Sequence, residues 1–259
     1  MESFRIERVF GRMGKLLGGT MGSVGVFLVA TQVVYVVVNA LAQRQLATAR
    51  MAPGDPAAAF AAIASPLYWG SLIVALLIGS LSYAGGIHGM LVAARGGTTS
   101  AGDCFATGLR KTLPMAALTF LWLFAITFGF ILLLVPGLIL VAMWAVCAPA
   151  LIGENLGVFA AFGRSRALTK GSRVLVFVTL MMSVVVIYVV LFGVLGAVLG
   201  FSLVGLRAGA QSSVLATVAM LPVMWLMAMG FSALLTAIYL ELVGIKAGVV
   251  DAEVSAVFA

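Results

Sequence analysis

Six apolar runs, each about as long as a bilayer is thick, leave this chain few ways to fold. A hydrocarbon core of roughly 30 Å takes about 20 helical residues at a rise of ~1.5 Å each. Runs of that kind lie near 21–42, 67–93, 115–135, 137–153, 174–200 and 214–244. With their short connections they use up nearly all of the 259 residues. Only 9% of residues are charged, and the mean hydropathy is +1.22. That is too little polar surface to cover a soluble domain of this size. The expectation is an all-α polytopic membrane protein, a single integral domain over 1–259 with six transmembrane helices arranged as three hairpins. No stretch is left over for a separate soluble catalytic domain.

Lys and Arg in short loops set the orientation. With the N-terminus inside, Arg5, Arg8, Arg12, Lys15, Arg95, Arg110, Lys111, Arg164, Arg166, Lys170, Arg173 and Lys246 are cytoplasmic. Only Arg44, Arg50 and Arg207 lie outside, a ratio of 12 to 3. Both termini are therefore expected in the cytoplasm. Ala40-Leu41-Ala42 before Gln43 also resembles the cleavage site of a secretory leader. The long basic start and the length of the apolar run favour a first span instead.

A basic, partly apolar segment precedes the first, third and fifth spans, near 4–19, 102–113 and 157–171. In the first, Ile6, Val9, Phe10, Met13, Leu16 and Leu17 follow helical spacing on one face, and Arg5, Arg8, Arg12 and Lys15 on another. This pattern predicts an interfacial amphipathic helix on the inner leaflet. Phe10-Gly11-Arg12 matches Phe162-Gly163-Arg164. Either three repeated units or the positive-inside rule alone accounts for such segments. Arg5, Arg8, Arg12, Lys15, Arg110, Lys111, Arg166 and Arg173 are candidates for contact with anionic phospholipid headgroups. The net charge of +7 is explained this way, without nucleic acid as a partner. In the first outer connection, Asp55-Pro56 reads as the start of a short helix over 56–64, either a lid or a segment resting on the bilayer.

Residues 114–155 are apolar for about forty positions, yet carry Pro136-Gly137 in the middle and Glu154 near the end. An unbroken helix of that length would be ~60 Å long, twice the hydrocarbon thickness. The expectation is a hairpin turning at Pro136-Gly137, where proline lacks an amide proton and glycine tolerates unusual dihedrals. Pro149 is expected to kink the descending arm. Glu154 then reaches the inner headgroup zone, where a carboxylate needs water or a partner. Arg164 is the expected partner, tethering the following segment; a solvated carboxylate and a substrate or proton site are the alternatives.

Pro136-Gly137, Trp144, Pro149, Glu154, Arg164-Ser165 and Leu168-Thr169-Lys170-Gly171 resemble the signature of the glycerophosphoryl diester phosphodiesterase membrane domain family, which includes the YciC-type inner-membrane proteins. The specific resemblance covers about 135–173. Many relatives place a basic residue just before the tryptophan, where this chain has Met143. The resemblance implies a stand-alone, multi-pass inner-membrane module, without the hydrolase that names the family. That catalytic barrel alone needs roughly 250 residues.

His88, the one histidine, lies within span two among Gly85, Gly86 and Gly89. An ionisable residue there is either a packing group or a ligand, proton or lipid contact. The Gly85–Gly89 and Gly196–Gly200 pairs suit close helix packing. Glu241 is expected to pair with Lys246. Cys104 and Cys147 match no metal or redox spacing, and read as a loop thiol and an apolar filler. No nucleotide-binding loop, metal motif or catalytic set is present, so neither a cofactor nor a metal is expected. The leading expectation is a non-catalytic lipid-interacting or accessory module, with phospholipids, a membrane-protein partner or a second copy as partners. Its rivals are a carrier for a lipid-like solute and an intramembrane enzyme that brings His88 to Glu154 or Cys147.

Overall fold

A computed structural model describes residues 4–49, 64–207 and 221–247, and the described part is all-helical. The helices are α1 (Ile6–Thr20), α2 (Ser23–Ala49), α3 (Pro66–Ala94), α4 (Ala101–Leu132), α5 (Leu134–Met143), α6 (Cys147–Gly153), α7 (Val158–Thr169), α8 (Arg173–Arg207) and α9 (Leu221–Ala247). The helix expected over 56–64 and the start of the sixth run, 214–220, lie outside the described residues, as does the packing around Gly196 and Gly200.

α3, α4, the α5–α6 pair and α9 are each long and apolar enough to cross a membrane. There are up to six spans when α1–α2 and α7–α8, bent by 79° and 102°, are each counted as one. Large apolar side chains such as Phe120, Phe124, Ile131, Val185 and Phe192 stand exposed on the outer faces. Water would not tolerate such a surface, whereas hydrocarbon does. α9 lies at the centre: every residue from Ser232 to Gly244 is buried, against α1, α2, α3, α6, α7 and α8.

The α3–α4 hairpin is held close by glycine. A Cβ added at Gly85 would stand 2.5 Å from the Cys104 carbonyl oxygen, and one at Gly108 would stand 2.8 Å from that of Leu81. Each helix therefore approaches the other's backbone, as small residues in membrane helices allow. Cys104 is fully buried in this seam, so it is not the loop thiol expected. The segment 102–113 is likewise no separate interfacial helix. Ser100 and Asp103 form a reciprocal capping box, and from there α4 runs unbroken through Pro114 to Leu132. Proline removes one hydrogen bond, a loss that membrane helices tolerate. At 32 residues and about 48 Å, α4 overreaches the hydrocarbon.

The hairpin expected at Pro136-Gly137 is present, but it turns at Leu133, the extended residue between α4 and α5 (φ −168°, ψ 149°). Pro136 is the third residue of α5, where a missing amide costs nothing. Gly137 keeps ordinary helical dihedrals. It is small because its Cβ would meet the Phe130 ring at 2.7 Å. The same offset recurs at Pro149: the descending arm breaks at Trp144–Val146, and the proline is the third residue of α6. Each proline thus marks the first turn of the helix that comes after a break.

Gly108→Ala is expected to destabilise the fold by about 1–3 kcal/mol, because the obstacle is backbone and cannot rotate away. Gly163→Ala, in open space, should be neutral or slightly stabilising. Denaturant titration of the two variants in detergent checks this; equal stability would show that the α3–α4 seam is not tight.

Candidate functional site at the cationic end of the bundle

The break at Trp144–Val146 leaves backbone groups that hydrocarbon cannot solvate, and α7 supplies their partners. Ser165 Oγ accepts from the Val146 N–H at 3.3 Å and donates to the Met143 carbonyl at 2.9 Å. The Thr169 hydroxyl lies 3.2 Å from the same carbonyl and 3.0 Å from that of Ser165. Ser165 and Thr169 are fully buried, with Leu168 beside them. Trp144 sets its ring edge-on to Phe162, centroids 4.9 Å apart. At position 143 it is the backbone carbonyl that makes these contacts.

Glu154 closes this unit. Its Oε1 is 2.8 Å from Arg164 Nε and accepts the Tyr239 hydroxyl at 2.9 Å. α6, α7 and α9 thus meet on one carboxylate. The chain turns away through Asn155 in the left-handed region (φ 51°), which asparagine tolerates better than most residues; its side chain accepts from Lys111 Nζ. Gly171 (φ 94°) makes the corresponding turn between α7 and α8, and the Lys170 carbonyl accepts Lys246 Nζ at 3.0 Å.

Glu241 was expected to pair with Lys246; instead its partners come from α1. Arg8 Nη2 lies 2.8 Å from Oε1 and Arg12 Nη1 lies 3.1 Å from Oε2, while the Arg5 backbone N–H reaches Oε1 at 3.4 Å. The carboxylate is 2% exposed. Arg8 and Arg12, four apart, share a helix face, so one buried charge holds two arginines. Val9, Leu16 and Thr20 are buried beside them. The apolar face of α1 therefore lies on the bundle rather than in the leaflet, with α9 and α3 as its neighbours. Amphipathic spacing alone does not reveal which apolar surface a helix covers, and this contact was beyond its reach.

Beside these arginines a half-open cleft of about 490 Å³ is lined by Arg8, Gly11, Arg12, Lys15, Leu16, Gly19, Ala93, Ala94 and Leu240. Arg8, Arg12 and Lys15 form its cationic wall. Gly11 and Gly19 leave the surface of α1 open, and α3 and α9 supply the apolar side. Lys15, exposed on the same side of α1, adds a third cation to this wall. Among the remaining headgroup candidates, Arg110 and Arg166 are exposed and Arg173 is half-buried.

A second cavity, of about 480 Å³ and lined by Cys147, lies deeper in the bundle. His88 is half-buried in α3 and, like Glu154, lines neither cavity. Among the described residues no group of three His, Cys, Asp or Glu side chains is placed to hold a metal.

Glu241→Gln should cost about 3 kcal/mol, because it removes the buried charge that Arg8 and Arg12 share. Glu154→Gln should cost less than about 1 kcal/mol, since its ion pair with Arg164 is partly exposed and an amide oxygen still accepts from Tyr239. Unfolding titrations of both variants check the order; the reverse ranking would sink the assignment of Glu241 as the anchor of α1. Comparison of the chain with protein-family models, curated proteins and solved structures finds no match.

Proposed function

We propose that this protein is a non-catalytic membrane module that binds anionic phospholipid headgroups at its cationic end and organises or supports other membrane components. The observation that carries the reading is the cleft beside α1. Its cationic wall of Arg8, Arg12 and Lys15 faces an apolar side from Leu16, Ala93, Ala94 and Leu240. That pairing suits a phosphate group joined to hydrocarbon. Arginine forks bind phosphate oxygens by paired, charge-assisted hydrogen bonds. Each cation held near an anionic leaflet adds about 1 kcal/mol of attraction. On this reading the cationic end is cytoplasmic, the membrane is a bacterial-type inner membrane, and the bound Glu241 preorganises two arginines. Kinship with the glycerophosphoryl diester phosphodiesterase membrane domain family belongs to the same proposal. Its support is that Trp144, Glu154, Arg164, Ser165 and Leu168 gather into one docked unit around the break.

Transport of a lipid-like solute is the second reading. The cavity beside the broken α5–α6 span favours it, since interrupted helices line transporter paths. The polar pair expected along such a path, His88 and Glu154, is absent from the cavity. An intramembrane enzyme would need the same pair, or His88 with Cys147, in one cavity, and has no such support.

Native mass spectrometry after extraction into polymer nanodiscs tests the leading reading. A Lys15→Gln, Arg110→Gln, Arg166→Gln variant, which leaves the Glu241 and Glu154 ion pairs in place, should retain several-fold less phosphatidylglycerol and cardiolipin. Phosphatidylethanolamine retention should not change. Equal retention of the anionic lipids by variant and wild type would overturn the proposal.

A further inference from the structure

The deeper cavity is enclosed by α3, α4, the α5–α6 break, α8 and α9. Its walls are aromatic and apolar: Tyr83, Trp122, Trp144 and Phe231 stand around it with aliphatic side chains. At about 480 Å³ it falls within the range of small-molecule sites. It is half-open, and the exposed Gly79 of α3 lies in its lining, so it communicates with the space that hydrocarbon fills.

Two hydroxyls make it more than an apolar groove. Ser80 is 3% exposed, and neither its Oγ nor the buried Tyr83 hydroxyl has a hydrogen-bond partner. Ser232 Oγ is also unpaired but does not line this cavity, while several other buried hydroxyls are satisfied locally. Those of Ser82, Thr179, Ser183 and Thr236 each donate to the carbonyl four residues back, satisfying themselves within their own helix. Ser80 and Tyr83 are three apart, on one face of α3, and both line the cavity. Buried polar groups in native proteins are nearly always paired, so the pairing here falls to something that enters.

Ser80 is the midpoint of α3 (Pro66–Ala94). At that depth the acyl chains of ordinary phospholipids offer no acceptor, their ester oxygens lying near the headgroups. The occupant must be lipid-soluble, carry accepting oxygen on an otherwise apolar body, and fit between aromatic rings. We propose that this cavity binds a lipid-soluble carbonyl compound of the quinone class, a flat ring whose carbonyl oxygens accept from Tyr83 and Ser80, taken up sideways from the hydrocarbon. The proposal is of binding only. It is independent of headgroup contact at the cationic end.

The test uses the full chain in phosphatidylcholine nanodiscs titrated with decylubiquinone. It is read by quenching of tryptophan fluorescence, since Trp122 and Trp144 line the cavity, and by native mass spectrometry. The expected result is saturable quenching with one quinone per chain. Ser80→Ala combined with Tyr83→Phe should weaken binding about tenfold or more through loss of the two donors. Gly79→Phe, whose added Cβ meets nothing within 4 Å, should close the mouth and leave only the non-saturating quenching of quinone dissolved in the bilayer. If Gly79→Phe loses its helical circular dichroism, the Ser80→Ala, Tyr83→Phe variant decides alone, since it removes only two oxygen atoms. Wild type that quenches no more saturably than Gly79→Phe would overturn the proposal. So would decylbenzene, which lacks carbonyls, displacing the quinone equally well with the hydroxyl variant unaffected; that result identifies an acyl-chain groove.

Discussion

The structure depends on a rule of the hydrocarbon: a backbone amide or carbonyl that loses its helical partner must find another within the protein. The descending arm of the third hairpin loses such partners at Trp144–Val146, and α7 replaces them through Ser165 and Thr169. The repair explains why this short helix buries Ala161, Ser165, Leu168 and Thr169 along one side. It also sets the direction of the neighbouring ion pair. With Ser165 pinned, Arg164 projects to Glu154, and Glu154 in turn accepts from Tyr239 on the central helix. One broken turn thereby determines how α6, α7 and α9 meet.

A second buried arrangement joins the start of the chain to its last described helix. Glu241 is nearly inaccessible, and such a carboxylate is tolerable only when paired and hydrogen-bonded. Arg8, Arg12 and the Arg5 amide supply that pairing. α1 is consequently fastened over the end of α9, and the cleft with Lys15 forms along its edge. The same arginines thus serve the fold and shape a surface suited to anions. The apolar cavity belongs to a different part of the molecule, next to the repaired break, where Trp144 and Cys147 contribute to its wall.

Much of the architecture was legible in residue order. Apolar run length predicted the long helices, and the Pro-containing stretch of about forty residues predicted a hairpin. The spacing of Glu154 and Arg164 predicted their pairing, because both lie at the same end of the bundle within one short connection. Two expectations failed for a common reason. The turn sits at Leu133 rather than Pro136-Gly137, and the break sits at Trp144–Val146 rather than Pro149. Proline rules state what a residue cannot do; they do not say whether neighbouring helices will accept the loss. At Pro136 and Pro149 a new helix starts just ahead of the proline, while α4 continues through Pro114.

By itself, then, the sequence determined the helical class, the length of the spans and the end of the bundle that gathers positive charge. Those come from local chemistry, namely hydropathy summed over about twenty residues and the positions of Lys and Arg. Tertiary structure alone decided that Glu241 takes Arg8 and Arg12 in place of Lys246, that Ser165 serves the backbone nineteen residues before it, and that Ser80 and Tyr83 share an apolar cavity without partners. Each joins residues that only packing brings to one place, and the interaction exists only once packing has excluded every other partner. A charge or hydroxyl shows in the sequence that it must be satisfied. Only the surrounding helices determine by what.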